Sequence, residues 1–149
     1  MPSYTTGSLE KVIAILEDDV ASHIEKVVRT LHSELMAATP VYSGEAVSAW
    51  VASTAPTTTR PQHSTAGDPG PTSGMPLGAE PRRAANEAIA RQSLSSIDFT
   101  QPLSVAYVQN ASPHIIALEY GELPSEERSR TPALGIVETA IAATVQKIK

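Results

Sequence analysis

Residues Tyr107–Gly121 read YVQNASPHIIALEYG, a strand that turns through Asn110 and Pro113 into one short helix. The alternation of Leu103, Val105 and Tyr107 places three apolar side chains on one face of a β-strand extending from 103 to 109. Ser112 is suited to cap the helix, Pro113 to open it with φ already fixed, and Gly121 to end it in the left-handed region. Between these signals, Ile115, Ile116, Ala117, Leu118 and Tyr120 are apolar almost all the way round. Such a helix is expected to be buried against a sheet or against a neighbouring subunit.

Working outward toward the C-terminus, residues 122–131 (ELPSEERSRT) read as a charged, exposed link. A last helix is expected from about Pro132 to Lys147, with the stripe Leu134, Val137, Ile141, Val145 and Ile148 facing inward and Lys147 and Lys149 at its negative end. Toward the N-terminus, an Ala-rich helix is expected from about Pro81 to Ser95, amphipathic through Ala85, Ala88, Ile89 and Gln92. Before it, residues 56–80 (PTTTRPQHSTAGDPGPTSGMPLGAE) are dense in Pro, Gly, Thr and Ser and read as a long loop, either mobile or ordered against a neighbour. Upstream again, Ser43 is placed to cap a single helical turn, and Ala49–Ala55 reads as a second strand carrying Trp50 and Val51.

The first helix is the largest apolar element. It is expected from Ser8 to Ala38, stopped by Thr39-Pro40, with the stripe Leu9, Ile13, Leu16, Val20, Ile24, Val27, Leu31 and Leu35. The steps average about 3.7 residues, nearer a straight helix laid on a sheet than a left-handed coiled coil. At roughly 45 Å it is longer than a small sheet is wide, so one end is expected to overhang and to need a partner. Ile15 and Met36 lie off the stripe and are candidates for contact with another subunit. The fold class that follows is α+β. A long N-terminal helix crosses a small, mainly antiparallel sheet that includes residues near 49–55 and 103–109, with short and C-terminal helices at its edges.

Length and composition limit the function. The 149 residues suit one domain, spanning 1–149, with a core of Leu, Ile, Val and Ala, since aromatics are only 4%. The absence of cysteine excludes disulfides, thiolate metal sites and cysteine nucleophiles. No apolar run approaches a membrane span, and the first residues resemble no secretory signal. A net charge of −5 and a single basic doublet, Arg82-Arg83, argue against a protein that grips nucleic acid through phosphates.

Chemistry is sparse. His23 and His32, nine residues apart on one helix, face opposite sides and cannot share a metal. His114 reads as a packing side chain with a polar edge, near enough to Glu119 for a weak pair. Glu17, Asp18 and Asp19 read as a solvated helix face, because a divalent cation needs ligands converging from several directions. Neither Ser43-Gly44 nor Ser73-Gly74 forms a nucleophile elbow, and Gly67–Gly74 lacks the lysine of a phosphate loop. No catalytic residue, cofactor or metal ligand set is expected, and the chain reads as no enzyme.

Two motifs carry a family resemblance. TPVYSGEAVSAW, through Thr39, Pro40, Val41, Ser43, Gly44 and Trp50, is similar to the Thr-Pro-Val-Asp-Thr-Gly motif and following Ser-Trp pair of the neck proteins of tailed bacteriophages. The strand, Asn110, Pro113 and Leu-Glu-Tyr-Gly run resembles that family's second motif, and the long helix before and variable insert between complete the likeness. Tyr42, Ala46 and Ala49 stand where the family usually has Asp, Leu and Ser, and RTPALG replaces its usual Pro-Gly-Met turn.

The resemblance implies a structural virion protein assembled in the host bacterial cytoplasm. Six or twelve identical copies would form a ring in the neck that joins the capsid portal or adaptor-side connector to the tail terminator or tail tube. DNA would pass through the lumen without specific binding, with no membrane involved, and an acidic wall would suit that passage. Trp50, Asn110, His114, Glu119, Tyr120 and Gly121 become candidate subunit-interface residues, with Glu119 pairing to a lysine or arginine across the ring. The tail terminator ring is a close alternative, and a small bacterial ligand-binding domain with the 56–80 loop as a lid is a more distant one.

Overall fold

The computed structural model describes residues 6–67, 78–101, 103, 105–121 and 135–149. Helix α1 spans Thr6–Ala38, 33 residues or roughly 50 Å. It ends as the sequence requires: Thr39 folds back so that its amide donates to the Leu35 and Met36 carbonyls, and Pro40 follows. A single turn, α2 (Glu45–Ser48), leads into strand β1 (Trp50–Ser53). Helix α3 (Arg83–Arg91) tightens into a 3₁₀ segment over Gln92–Ser96. Strand β2 (Tyr107–Asn110), the short α4 (Ile115–Glu119) and α5 (Ile136–Ile148) complete the order. The fold is α+β: a long N-terminal helix, a small antiparallel sheet, and further short and C-terminal helices.

The sheet has two strands, paired Trp50 with Asn110 through Ser53 with Tyr107. Both strands are shorter than the runs 49–55 and 103–109. The edge of β1 away from β2 is occupied by side chains: the Trp50 carbonyl accepts from His32 Nε2 at 2.9 Å, and the Ala52 amide donates to Ser93 Oγ at 2.9 Å. Those bonds satisfy the edge without a third strand. Leu103 lies outside the ladder, packed near Phe99 and Val28, while Val105 is exposed.

Two apolar clusters flank the sheet. One gathers Leu35, Met36, Val47, Trp50, Leu118 and Ile136, and the other Val28, Ala52, Leu94, Ile97 and Phe99. Met36, expected to face another subunit, is instead fully buried, because α5 and the 39–50 segment close over the last turns of α1.

A buried polar knot fixes the end of α1. Arg83 donates from Nη1 to the Met36 carbonyl at 2.9 Å, from Nη2 to the Thr39 carbonyl at 2.8 Å, and from Nε to Glu80 Oε2 at 2.9 Å. A guanidinium is well matched to these carbonyls, which carry the negative end of the helix dipole. Burial pulls the Glu80 carboxyl upward, but the bond and charge of Arg83 and the amides of Glu80 and Gly78 outweigh it and hold the group below its ordinary value. The buried face of α3 is therefore Arg83, Asn86 and Ala90, not the Ala85, Ala88, Ile89 and Gln92 face expected from apolarity.

Asn86 ties down the first part of the long loop. Its Oδ1 accepts from the Ser64 amide at 2.8 Å, and its Nδ2 donates to the Ser64 and Arg82 carbonyls. Thr57 and Arg60 are held by Gln109 and Glu45 respectively. Residues 56–67 thus run against their own domain; 68–77 and the 122–131 link lie outside the described residues, as do 132–134 of the expected last helix.

Candidate subunit interface

The N-terminal half of α1 leaves the body of the domain. Leu9, Val12, Ile13, Ile15, Leu16 and Val20 are all exposed, whereas Val28, Leu35 and Met36 are buried. The expected stripe is thus covered only in its lower half, and the overhanging end is the N-terminal one. Ile13, Leu16, Glu17, Val20 and Ala21 line one side of a shallow apolar groove of about 250 Å³, and Leu103 closes the other.

A second exposed face belongs to α5. Its buried residues are Ile136, Ala140 and Thr144, with Thr144 Oγ1 returning its proton to the Ala140 carbonyl at 2.7 Å. The expected inward stripe is the outward one: Val137, Ile141 and Val145 are exposed. Small residues at 140 and 144 let α5 lie close to α1, a fit that periodicity alone does not reveal. Lys147 pairs with Glu34 across this helix contact.

The third face lies on α4. Of its apolar residues only Leu118 is buried, while Ile116 and Tyr120, one turn apart, are 64% and 67% exposed. Among the described residues this helix is not covered all round; its buried side joins the cluster of Trp50, Ile136 and Ala140, and α5 is the helix it meets.

The capping signals act before the helix boundaries, two residues ahead at Ser112 and one at Ser43. Ser112 Oγ accepts from the His114 amide at 3.3 Å, which makes His114 the residue at the helix boundary and Ile115 the first helical one. Ser43 Oγ likewise accepts from the Glu45 amide at 3.3 Å, with Gly44 at the boundary. Gly121 takes φ +73° as expected.

The six interface candidates divide into three kinds. Trp50 is 4% exposed and works inside the protomer, its indole N–H donating to Thr39 Oγ1 at 2.9 Å. Its ring supports the sheet and is not a surface for another copy. Asn110 is half-buried and committed internally: Nδ2 donates to the Ala46 carbonyl at 2.7 Å, and Oδ1 accepts from the Ser112 amide at 2.9 Å. Gly121 closes α4.

His114, Glu119 and Tyr120 lie nearer the surface. His114 Nε2 is 3.8 Å from Glu45 Oε2 and not paired with Glu119. Glu119 Oε2 instead accepts from the Val137 amide at 3.1 Å, while its carbonyl accepts from Gly135. A carboxylate at the first turn of α5 meets unpaired amides and the positive end of the helix dipole, a use that the interface expectation did not include.

Sequence reasoning missed the exposed α5 face, the buried Arg83–Glu80 pair and His32. His32 is fully buried, and burial holds its imidazole below the ordinary value, against the pull of the Trp50 carbonyl and with a smaller push from Arg91. For α5 the signal was the small Ala140 and Thr144 on one face, and for Arg83, Glu80 and His32 no sequence signal marked their burial.

Among the described residues, no group of three or more His, Asp or Glu is placed to hold a metal ion. None of the described helices is long and apolar enough to cross a membrane. The arrangement is an α+β fold with large apolar side chains exposed on α1, α4 and α5 among charged ones. No protein-family model, curated protein or solved structure matches the chain.

Proposed function

We propose that this chain is a structural subunit of a homo-oligomeric ring in the neck of a tailed bacteriophage, between the portal side of the capsid and the tail. The observation that carries the reading is the amount of large apolar side chain left exposed on α1, α4 and α5. Surface of this extent on one small domain marks contact with other protein. The likeness of the 39–50 and 107–121 segments to neck proteins supplies the setting, and the structure gives both segments scaffold roles. Thr39 and Trp50 lock the end of α1, and Gly44 and Asn110 fix α2.

The test is removal of the chain from the assembling particle. DNA-filled heads and finished tails that fail to join are expected, with joining restored by the chain supplied in trans. Particles that join normally without it overturn the reading. Locating the labelled chain at the head–tail junction separates a neck ring from a tail terminator by which ring it touches.

A further inference from the structure

We infer that His32 is a proton-operated latch: a proton on its second ring nitrogen releases the N-terminal part of α1 from the sheet while the C-terminal end of α1 stays docked. The latch lies within one protomer and is independent of the ring reading.

His32 stands where the two apolar clusters meet. One helical turn before it, Val28 belongs to the cluster of Ala52, Leu94, Ile97 and Phe99; one turn after it, Leu35 and Met36 belong to the cluster of Trp50 and Ile136. The polar ties of α1 are gathered on the C-terminal side of this boundary. Arg83 holds the Met36 and Thr39 carbonyls, and Thr39 Oγ1 holds the Trp50 indole. Counting back toward the N-terminus, His32 is the last described residue of α1 hydrogen-bonded to the sheet. Beyond it, Ile24 and Val28 are held by apolar packing, and Arg29 stacks over Phe99 at 5.2 Å.

The bond to Trp50 fixes the tautomer. A carbonyl only accepts, so Nε2 carries the hydrogen and Nδ1 is left with a lone pair. Nδ1 is buried and, among the described residues, has no hydrogen-bond partner. A proton there meets no acceptor, and the imidazolium it makes is buried without a counter-charge. The elements packed around it supply none. β1 and the 3₁₀ segment carry no ionisable side chain, and β2 carries only Tyr107. α3 brings Arg91, a like charge, with Glu87 bound to Arg91 and Arg83. On α5, Lys147 pairs with Glu34 of α1 and Glu138 is exposed; on α1 itself, Glu25 pairs with Arg29. Burial, and to a smaller extent Arg91, hold the imidazole below its ordinary 6.5 against the pull of the Trp50 carbonyl, so the latch is closed at neutral pH. Acid opens it, because swinging α1 away brings the charged ring to water at the expense of the second cluster alone. The freed part, from Thr6 to Leu31, is a lever of roughly 39 Å.

The chain has no cysteine, so one introduced thiol reads each cluster. Val28→Cys reports the second cluster and Val47→Cys the first, where Val47 is fully buried. Each is labelled with dithiodipyridine, and the rate is divided by that of a free thiol at the same pH. Val28→Cys is expected to react at least about tenfold faster at about pH 5 than at about pH 7, the reach of one unit in a histidine pKa. Val47→Cys is expected to stay slow at both, and Trp50 emission in the unmodified chain to keep its buried wavelength. Adding His32→Gln to Val28→Cys is expected to abolish the acceleration. Leu94→Cys gives the same reading from the other side of the cluster, should Val28→Cys not fold. A rate at the second cluster that ignores pH, an acceleration shared by Val47→Cys, or one that survives His32→Gln overturns the latch.

Discussion

Trp50 donates its indole N–H to Thr39 Oγ1 at 2.9 Å, and that same hydroxyl donates to the Leu35 carbonyl at 2.7 Å. One buried hydroxyl therefore joins the last turn of α1 to the first residue of β1. Replacing Thr39 by Val keeps the shape and strands the buried Trp50 indole N–H, while the Leu35 carbonyl keeps the Thr39 amide, so a loss of about 1–3 kcal/mol is expected, read as a lower denaturant midpoint. Thr39→Ser is expected to stay near the unmodified value. Equal stability of Thr39→Val and the parent would remove this link from the account.

Arg83 binds the Glu80 carboxylate and two carbonyls at the end of α1. Arg83→Met leaves these groups buried without their cation, at an expected cost of roughly 3–5 kcal/mol. The pH dependence has a definite sign. Glu80 is held below its ordinary 4.5 in the folded chain, so its contribution is fully present above about pH 4.5 and is lost as pH falls through the folded value. Thermal melts of Glu80→Gln are expected to show less acid sensitivity in that window than the parent.

His32 acts at higher pH. Its folded value lies below the ordinary 6.5, so the unfolded chain takes up a proton first as the solution is acidified below that point. Stability is expected to fall as pH drops from about 6.5 and to level off once the folded imidazole titrates. His32→Gln, which can still donate to the Trp50 carbonyl, is expected to flatten that slope. Identical slopes for parent and variant in melts between neutral and mildly acidic pH would contradict this.

Gly44 has φ +94°, and a Cβ there would stand 2.0 Å from Asn86 Nδ2. Gly44→Ala is expected to cost roughly 1–2 kcal/mol in backbone conformation and about 1–3 kcal/mol more in overpacking. Faster proteolysis within 56–67 is the expected accompaniment, because displacing Asn86 releases Ser64.

Glu119 was legible as a functional side chain but not in its role at the start of α5. Glu119→Gln keeps an acceptor for the Val137 amide and loses the charge, so a fall of about 0.3–1 kcal/mol is expected. An unchanged melt would return Glu119 to a role between subunits.

The sequence was most readable where a local rule governs. Thr39-Pro40 ends α1, Gly121 stops α4, β1 sits inside the run read for it, and β2 takes up the end of its run and extends one residue past it. It was least readable where the choice depends on a partner helix. Periodicity selects the bulkiest stripe of α5 for the core, yet the small side chains of Ala140 and Thr144 face α1 and the bulky ones face outward. In α3 the same rule sends Arg83 and Asn86 to solvent, although the carbonyls at the end of α1 and the backbone of Ser64 draw them inward. The candidate interface divided similarly: Trp50 and Asn110 are motif residues because they hold the scaffold, and the exposed faces lie largely outside the motifs.

The central claim is that identical copies cover the apolar helix faces. Sedimentation of the purified chain over a wide concentration range tests it most directly. A single species of fixed copy number, six or twelve, that persists on dilution to low micromolar is the expected result. A chain that sediments alone even at the highest concentration reached would contradict the account.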